Sequence, residues 1–171
     1  MQRHHFLLGL ALLATMAFKD HAGVHTLPAE GWHALFNGKD LSGWDSYLAP
    51  PADSTGKRIS DQPIGLDKDP HRVFSVIRDG DQNVIRISGE DVGGLISKKE
   101  YADYHLQVLF RWGTLTWGQK KGKKKDSGLL YHSVGPYGAD WGAWMRSHEF
   151  QVQEGDCGDY WGCASIDFGR A

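Results

Sequence analysis

Apolar side chains in this chain recur at every second position. In Tyr104 to Trp112 (YHLQVLFRW), Leu106, Val108, Phe110 and Trp112 fall on one side of an extended backbone, and His105, Gln107, Leu109 and Arg111 on the other. His148 to Gln153 (HEFQVQ) alternates in the same way, Phe150 and Val152 against Glu149, Gln151 and Gln153. Shorter apolar runs at Trp32 to Phe36, Val73 to Ile77, Val84 to Ser88, Gly93 to Ser97 and Ser127 to His132 are bounded by turn residues. A period of two suits a sheet with one apolar face, and no stretch carries a convincing helical period. The reading is therefore all-β, a sandwich of short strands. With 22 glycines, 7 tryptophans and 6 tyrosines the composition agrees, and 171 residues suit a single domain.

The connections are uneven. Asp79-Gly80 predicts a hairpin between the runs at Val73 to Ile77 and Val84 to Ser88. Residues 48 to 72 hold four of the six prolines and read as a long loop, a kind of segment that commonly serves a site. Gln119 to Lys125 contains five lysines in seven residues, a solvated loop or a contact for a polyanion.

Met1 to His5 is basic and Phe6 to Ala14 almost wholly apolar, too short to span a bilayer. Residues 1–22 therefore read as a signal peptide cut near Ala17 or Ala22, which leaves residues 23–171 as one β-sandwich domain. The expected location is periplasmic or secreted, with no membrane attachment after cleavage. Nineteen basic and 21 acidic residues give a net charge of -2, and nothing in that balance calls for nucleic acid. Export would permit a disulfide between Cys157 and Cys163, the only two cysteines, and two free thiols are equally compatible with the sequence.

Chemistry-bearing residues gather between 126 and 162. By parity Gly128, Leu130 and His132 share a face of their strand, and a glycine there marks a close approach to the backbone. His132 and Glu149 would then face each other across neighbouring strands, as a proton-transfer pair or as two ligands of a divalent metal ion. Gln151 and Gln153 can donate to and accept from sugar hydroxyls. Trp141, Trp144, Tyr160 and Trp161 can stack on sugar rings. The bland alternatives are a solvated strand face and core aromatics.

LFNGKDLSGW (Leu35 to Trp44), KKEYADYHLQVLFRW (Lys98 to Trp112), DSGLLYH (Asp126 to His132) and RSHEFQVQEGDCGDYWG (Arg146 to Gly162) together resemble the 3-keto-disaccharide hydrolase family. The extended last segment looks like the branch common in Bacteroidetes. The resemblance implies a concanavalin-like jelly roll of the lectin/glucanase type and an exported enzyme acting on oxidised (3-keto) glycosides. It implies cleavage by removal of the C2 proton and elimination of the aglycone, with a sugar 3-dehydrogenase supplying the ketone and a divalent metal ion as a possible electrophile. Glu149 and His132 are the expected catalytic residues or metal ligands, and Gln151, Gln153, Arg111, Trp141 and Trp161 the expected substrate contacts. Family members continue past the Glu-x-Gln strand, so residues 23–171 are expected to be the N-terminal part of the family domain. The alternative is a non-catalytic carbohydrate-binding module on the same fold.

Overall fold

The computed structural model describes residues 31–164, together with the backbone of a strand at His4–Gly9. The described residues are all-β: eleven strands and a single 3-10 turn at Gly118–Lys120, with no α-helix. In chain order the strands are β1 (His4–Gly9), β2 (Trp32–Ala34), β3 (Trp44–Leu48), β4 (Gly65–Leu66), β5 (Phe74–Asp79), β6 (Gln82–Ile87), β7 (Gly93–Ser97), β8 (Tyr104–Leu109), β9 (Asp126–Val134), β10 (Arg146–Gln153) and β11 (Asp156–Cys163). The chain divides into two compact units, residues 1–44, 74–87 and 97–114 forming the first and residues 45–73, 88–96 and 115–171 the second.

The first unit holds a sheet in the order β2-β1-β8 and the hairpin β5-β6. The hairpin is the one that Asp79-Gly80 announces. Asp79 pairs with Gln82, so the turn has only two residues, and Gly80 adopts the positive φ of 56° that such a turn requires. Phe74, Val84 and Ile85 are buried. The LFNGKDLSGW segment is locked by Asn37, whose side-chain oxygen accepts from the backbone N–H groups of Lys39 and Asp40 at 2.8 and 2.9 Å. Asp40 in turn accepts from the Ser42 N–H at 2.9 Å, and hydrogen bonds from Ser42 and Asn37 hold its carboxyl at a pKa of about 2. This Asx-type turn brings Trp44 back into the core, where it is buried.

β1 lies within the segment read as a signal peptide and runs parallel to both β2 and β8. Cleavage near Ala17 or Ala22, which lie outside the described residues, would remove it and leave β2 and β8 without their shared neighbour. β8 itself ends at Leu109, three residues before the alternating pattern does. Leu106 and Phe110, on the apolar side of the alternating pattern, stay 37% and 39% exposed.

The second unit holds two three-stranded sheets, β4-β3-β7 and β11-β10-β9. Its core contains Leu48, Ala49, Val73, Ala143, Val152 and Cys163. β3 and β7 approach closely because position 93 has no side chain: a Cβ there would stand 2.7 Å from Leu48 Cδ2 and closer still to the Tyr47 carbonyl oxygen. The long loop after β3 folds onto its own unit. Arg58 donates to the Trp141 carbonyl at 2.5 Å, and His71 pairs with Asp91 at 2.8 Å. The lysine-rich loop is partly neutralised, Lys120 by Asp126 (2.5 Å) and Lys125 by Glu154 (3.1 Å).

Candidate functional site

β9, β10 and β11 form an antiparallel meander, and register decides what each face carries. Glu149 stands opposite Leu130 on β9 and Trp161 on β11, Gln151 opposite Gly128, and Gln153 opposite Asp126. Directly opposed residues share a face. One face therefore carries Glu149, Gln151 and Gln153 with Asp126, Gly128, Leu130 and Trp161, as the alternation of HEFQVQ predicts. The other face carries His148, Phe150 and Val152 with Leu129, Tyr131 and Tyr160.

Glu149 is the best-defined group of the first face. Its side chain leans diagonally toward β9 and lies over Gly128. A Cβ at position 128 would be 2.6 Å from its carboxyl carbon and 2.7 Å from its Cγ. The close approach that Gly128 marks is thus made by the protein's own carboxylate. On the other side the Cys163 thiol donates to Glu149 Oε2 at 3.7 Å. Burial raises the pKa of Glu149 above the usual carboxylate range; the Cys163 hydrogen bond opposes this, and the charges of Asp126 and Asp140 add to it.

Gln151 Nε2 donates to Asp126 Oδ1 at 2.9 Å, and Lys120 Nζ occupies the other oxygen of the same carboxylate at 2.5 Å. A carboxylate only accepts, so the Gln151 amide is fixed with its nitrogen toward Asp126 and its carbonyl oxygen turned elsewhere. Trp161 and Trp141 are 55% and 70% exposed, available as stacking surfaces, whereas Trp144 is half-buried with its Nε1–H donated to the Gly93 carbonyl at 3.3 Å.

His132 does not join Glu149. Between the Arg146–Val134 and His148–Tyr131 pairs β9 has two residues and β10 one, a bulge, and His132 sits in it with a φ of 54°. Its ring stands 5.5 Å from Tyr131 and 6.0 Å from His148, both on the face opposite to Glu149. There the buried His148 shares a 2.8 Å hydrogen bond between Nδ1 and the Tyr160 hydroxyl. Arg111 belongs to the first unit, where its guanidinium donates to Asp79 at 2.7 Å.

A divalent ion needs several convergent donors, and Glu149 and His132 diverge. Among the described residues no three His, Cys, Asp or Glu side chains come together to hold a metal. Among the described residues the donor set therefore does not fit a metal ion held by three protein side chains. The thiols of Cys157 and Cys163 are both free. They stand at opposite ends of β11, and six residues of strand span roughly 20 Å, several times the separation a disulfide bridges.

Sequence reasoning missed three features of this region: Asp126 as the anchor of Gln151, Cys163 as a donor to Glu149, and the hydrogen bond that joins the buried His148 to the exposed Tyr160. Parity places His148 opposite to Glu149, and that much was readable; the other two need the register. Comparison with curated proteins and with solved structures finds no match. Residues 31–168, most of the chain and including the Glu149 strand face, match the family model described as the 3-keto-alpha-glucoside-1,2-lyase-like domain. The chain belongs to the 3-keto-alpha-glucoside-1,2-lyase-like family, and a 3-keto-glucoside is the substrate that this family implies.

Proposed function

We propose that the protein cleaves 3-keto-glycosides by elimination, with Glu149 as the base. The observation that carries the reading is the Glu149 carboxylate, on an accessible strand face and with a proton affinity raised by burial. A ketone at C3 acidifies the C2–H bond. Glu149 takes that proton, and the electrons of the broken bond form an enolate across C2 and C3. The enolate returns its electrons to form C1=C2, C3=O is restored, and the C1–oxygen bond breaks. The aglycone leaves as its alcohol after taking a proton from water. Water adding back across C1=C2 would complete a net hydrolysis. Such a reaction needs one well-placed base, not the two spaced carboxylates of an ordinary glycosidase.

The remaining residues of the face fit sugar binding. Alternate residues on a strand are about 6.6 Å apart, so Gln151 reaches the ring attacked by Glu149 while Gln153, about 13 Å along, reaches the aglycone side. With its nitrogen held by Asp126, Gln151 presents a carbonyl oxygen that accepts from a ring hydroxyl. Trp161, beside Glu149 in register, offers a stacking surface, and Trp141 a second one. His132 and Arg111 take no part in this reading, and no metal does. It retains the jelly roll as the parent architecture, export guided by the basic and apolar start, and a sugar 3-dehydrogenase as the source of the ketone.

The test is incubation with a 3-keto-glucoside and, separately, with the parent unoxidised glucoside. Aglycone release from the first and none from the second is expected. Binding of both without release from either would establish a carbohydrate-binding module instead.

A further inference from the structure

On the reading of Glu149 as the base, the geometry points to Gly128 and Cys163 as the positioning residues that set where its carboxylate lies and how readily it takes a proton. The observation is a two-sided cradle. From β9 the missing side chain of Gly128 leaves the space that the carboxyl group fills: a Cβ would stand 2.6 Å from Cδ and 2.7 Å from Cγ, distances at which something must shift. From β11 the Cys163 thiol reaches Oε2 at 3.7 Å. One oxygen therefore faces each flanking strand.

Neither residue needs its identity for the fold alone. Gly128 does not have the positive φ at which only glycine is comfortable, so its backbone would accept alanine. Cys163 is buried, and an apolar residue of similar size would fill its place. Apart from a hydrogen bond between Cys163 and the buried Ser147, what each identity supplies is local to the carboxylate, room from one and a proton donor from the other. Burial pushes the Cys163 thiol up to about 11, so it stays protonated and keeps donating through neutral pH. The charged groups that face Glu149 are Asp126 from β9 and Asp140 from the loop before β10. Both favour its protonated form, and Cys163 is the counterweight. Removing the thiol leaves that repulsion and the burial unopposed.

The experiment uses the protein with Gly128→Ala, Cys163→Ala and Cys163→Ser. Two readouts are needed: the pH profile of kcat/KM on a 3-keto-glucoside, and direct titration of the Glu149 carboxyl carbon by NMR on glutamate-labelled protein, assigned by its absence in Glu149→Gln. Gly128→Ala should fold and melt near wild type but lower kcat about a hundredfold with little change in KM, the scale of loss that a misplacement of about 1 Å produces. Cys163→Ala should move the carboxyl titration and the acid limb of the rate profile upward together by about half a pH unit, and Cys163→Ser should restore both. Unchanged titration in Cys163→Ala overturns the inference, as does wild-type kcat in Gly128→Ala. Should Gly128→Ala fail to fold, the Cys163 pair decides alone. If the NMR titration moves as expected but the wild type turns over no 3-keto-glucoside, the positioning stands and the functional reading falls. If Glu149→Gln abolishes turnover while the other variants alter neither readout, the functional reading stands and the positioning falls.

Discussion

Glu149→Gln should lower turnover of a 3-keto-glucoside by at least about a hundredfold, the lower end of what a positioned proton acceptor contributes. The substitution is nearly isosteric and removes only the group that accepts the proton. It should leave the melting temperature at neutral pH unchanged or slightly higher. Burial holds the pKa of Glu149 in the folded chain above its unfolded value. The folded state then binds this proton more tightly than the unfolded state. Stability is consequently lost as pH rises through the unfolded and then the folded pKa, and the whole penalty is present above both. Gln carries no such penalty. Parallel measurement of kcat and of thermal unfolding at pH 7 checks both halves. A variant that melts far below wild type would mean that Glu149 holds the sheet together, and full turnover would remove it from the chemistry.

Leu48→Ala should show the opposite division, a large loss of stability with chemistry intact in the molecules that remain folded. Leu48 is fully buried at the end of β3 and meets β7 at Gly93, where no other side chain intervenes. Deleting its three outer carbons forfeits their transfer free energy and opens a cavity, together about 2–5 kcal/mol. The backbone contact between Tyr47 and Gly93 prevents the strands from closing over the gap. Urea denaturation followed by fluorescence measures the loss. A change below about 1 kcal/mol would show that the site relaxes in a way this packing does not permit.

Alternation made much of this fold legible. β5, β6, β7 and β9 lie at short apolar runs between turn signals, β10 lies where apolar residues alternate, and the β5–β6 turn follows Asp79-Gly80. β11 was not legible. Acidic and aromatic residues in GDCGDYWG hide its period, Gly158 (φ 110°) introduces an irregularity, and all but its last residue is exposed. Its entry is a tight hairpin at Glu154-Gly155, set by the pairing of Gln153 with Asp156. For the site, parity identified the face of Glu149, Gln151 and Gln153 because β10 keeps its register with β9 through all three. It misplaced His132 because one extra residue in a strand breaks parity beyond it, and no residue type announces that bulge. Gly128 was a sound signal of close approach, but sequence cannot say whether a ligand or a side chain of the same protein fills the space. Cys163 and Asp126 act through cross-strand pairing, information that lies in the register.

The most direct test of the central claim uses a 3-keto-glucoside carrying deuterium at C2, with product analysis by NMR and mass spectrometry. Elimination through Glu149 predicts release of the aglycone with the label lost to solvent, and retention of label and substrate alike in Glu149→Gln. Aglycone release from wild type with deuterium still on C2 would contradict it, because the glycosidic bond would then have broken without proton abstraction at that carbon.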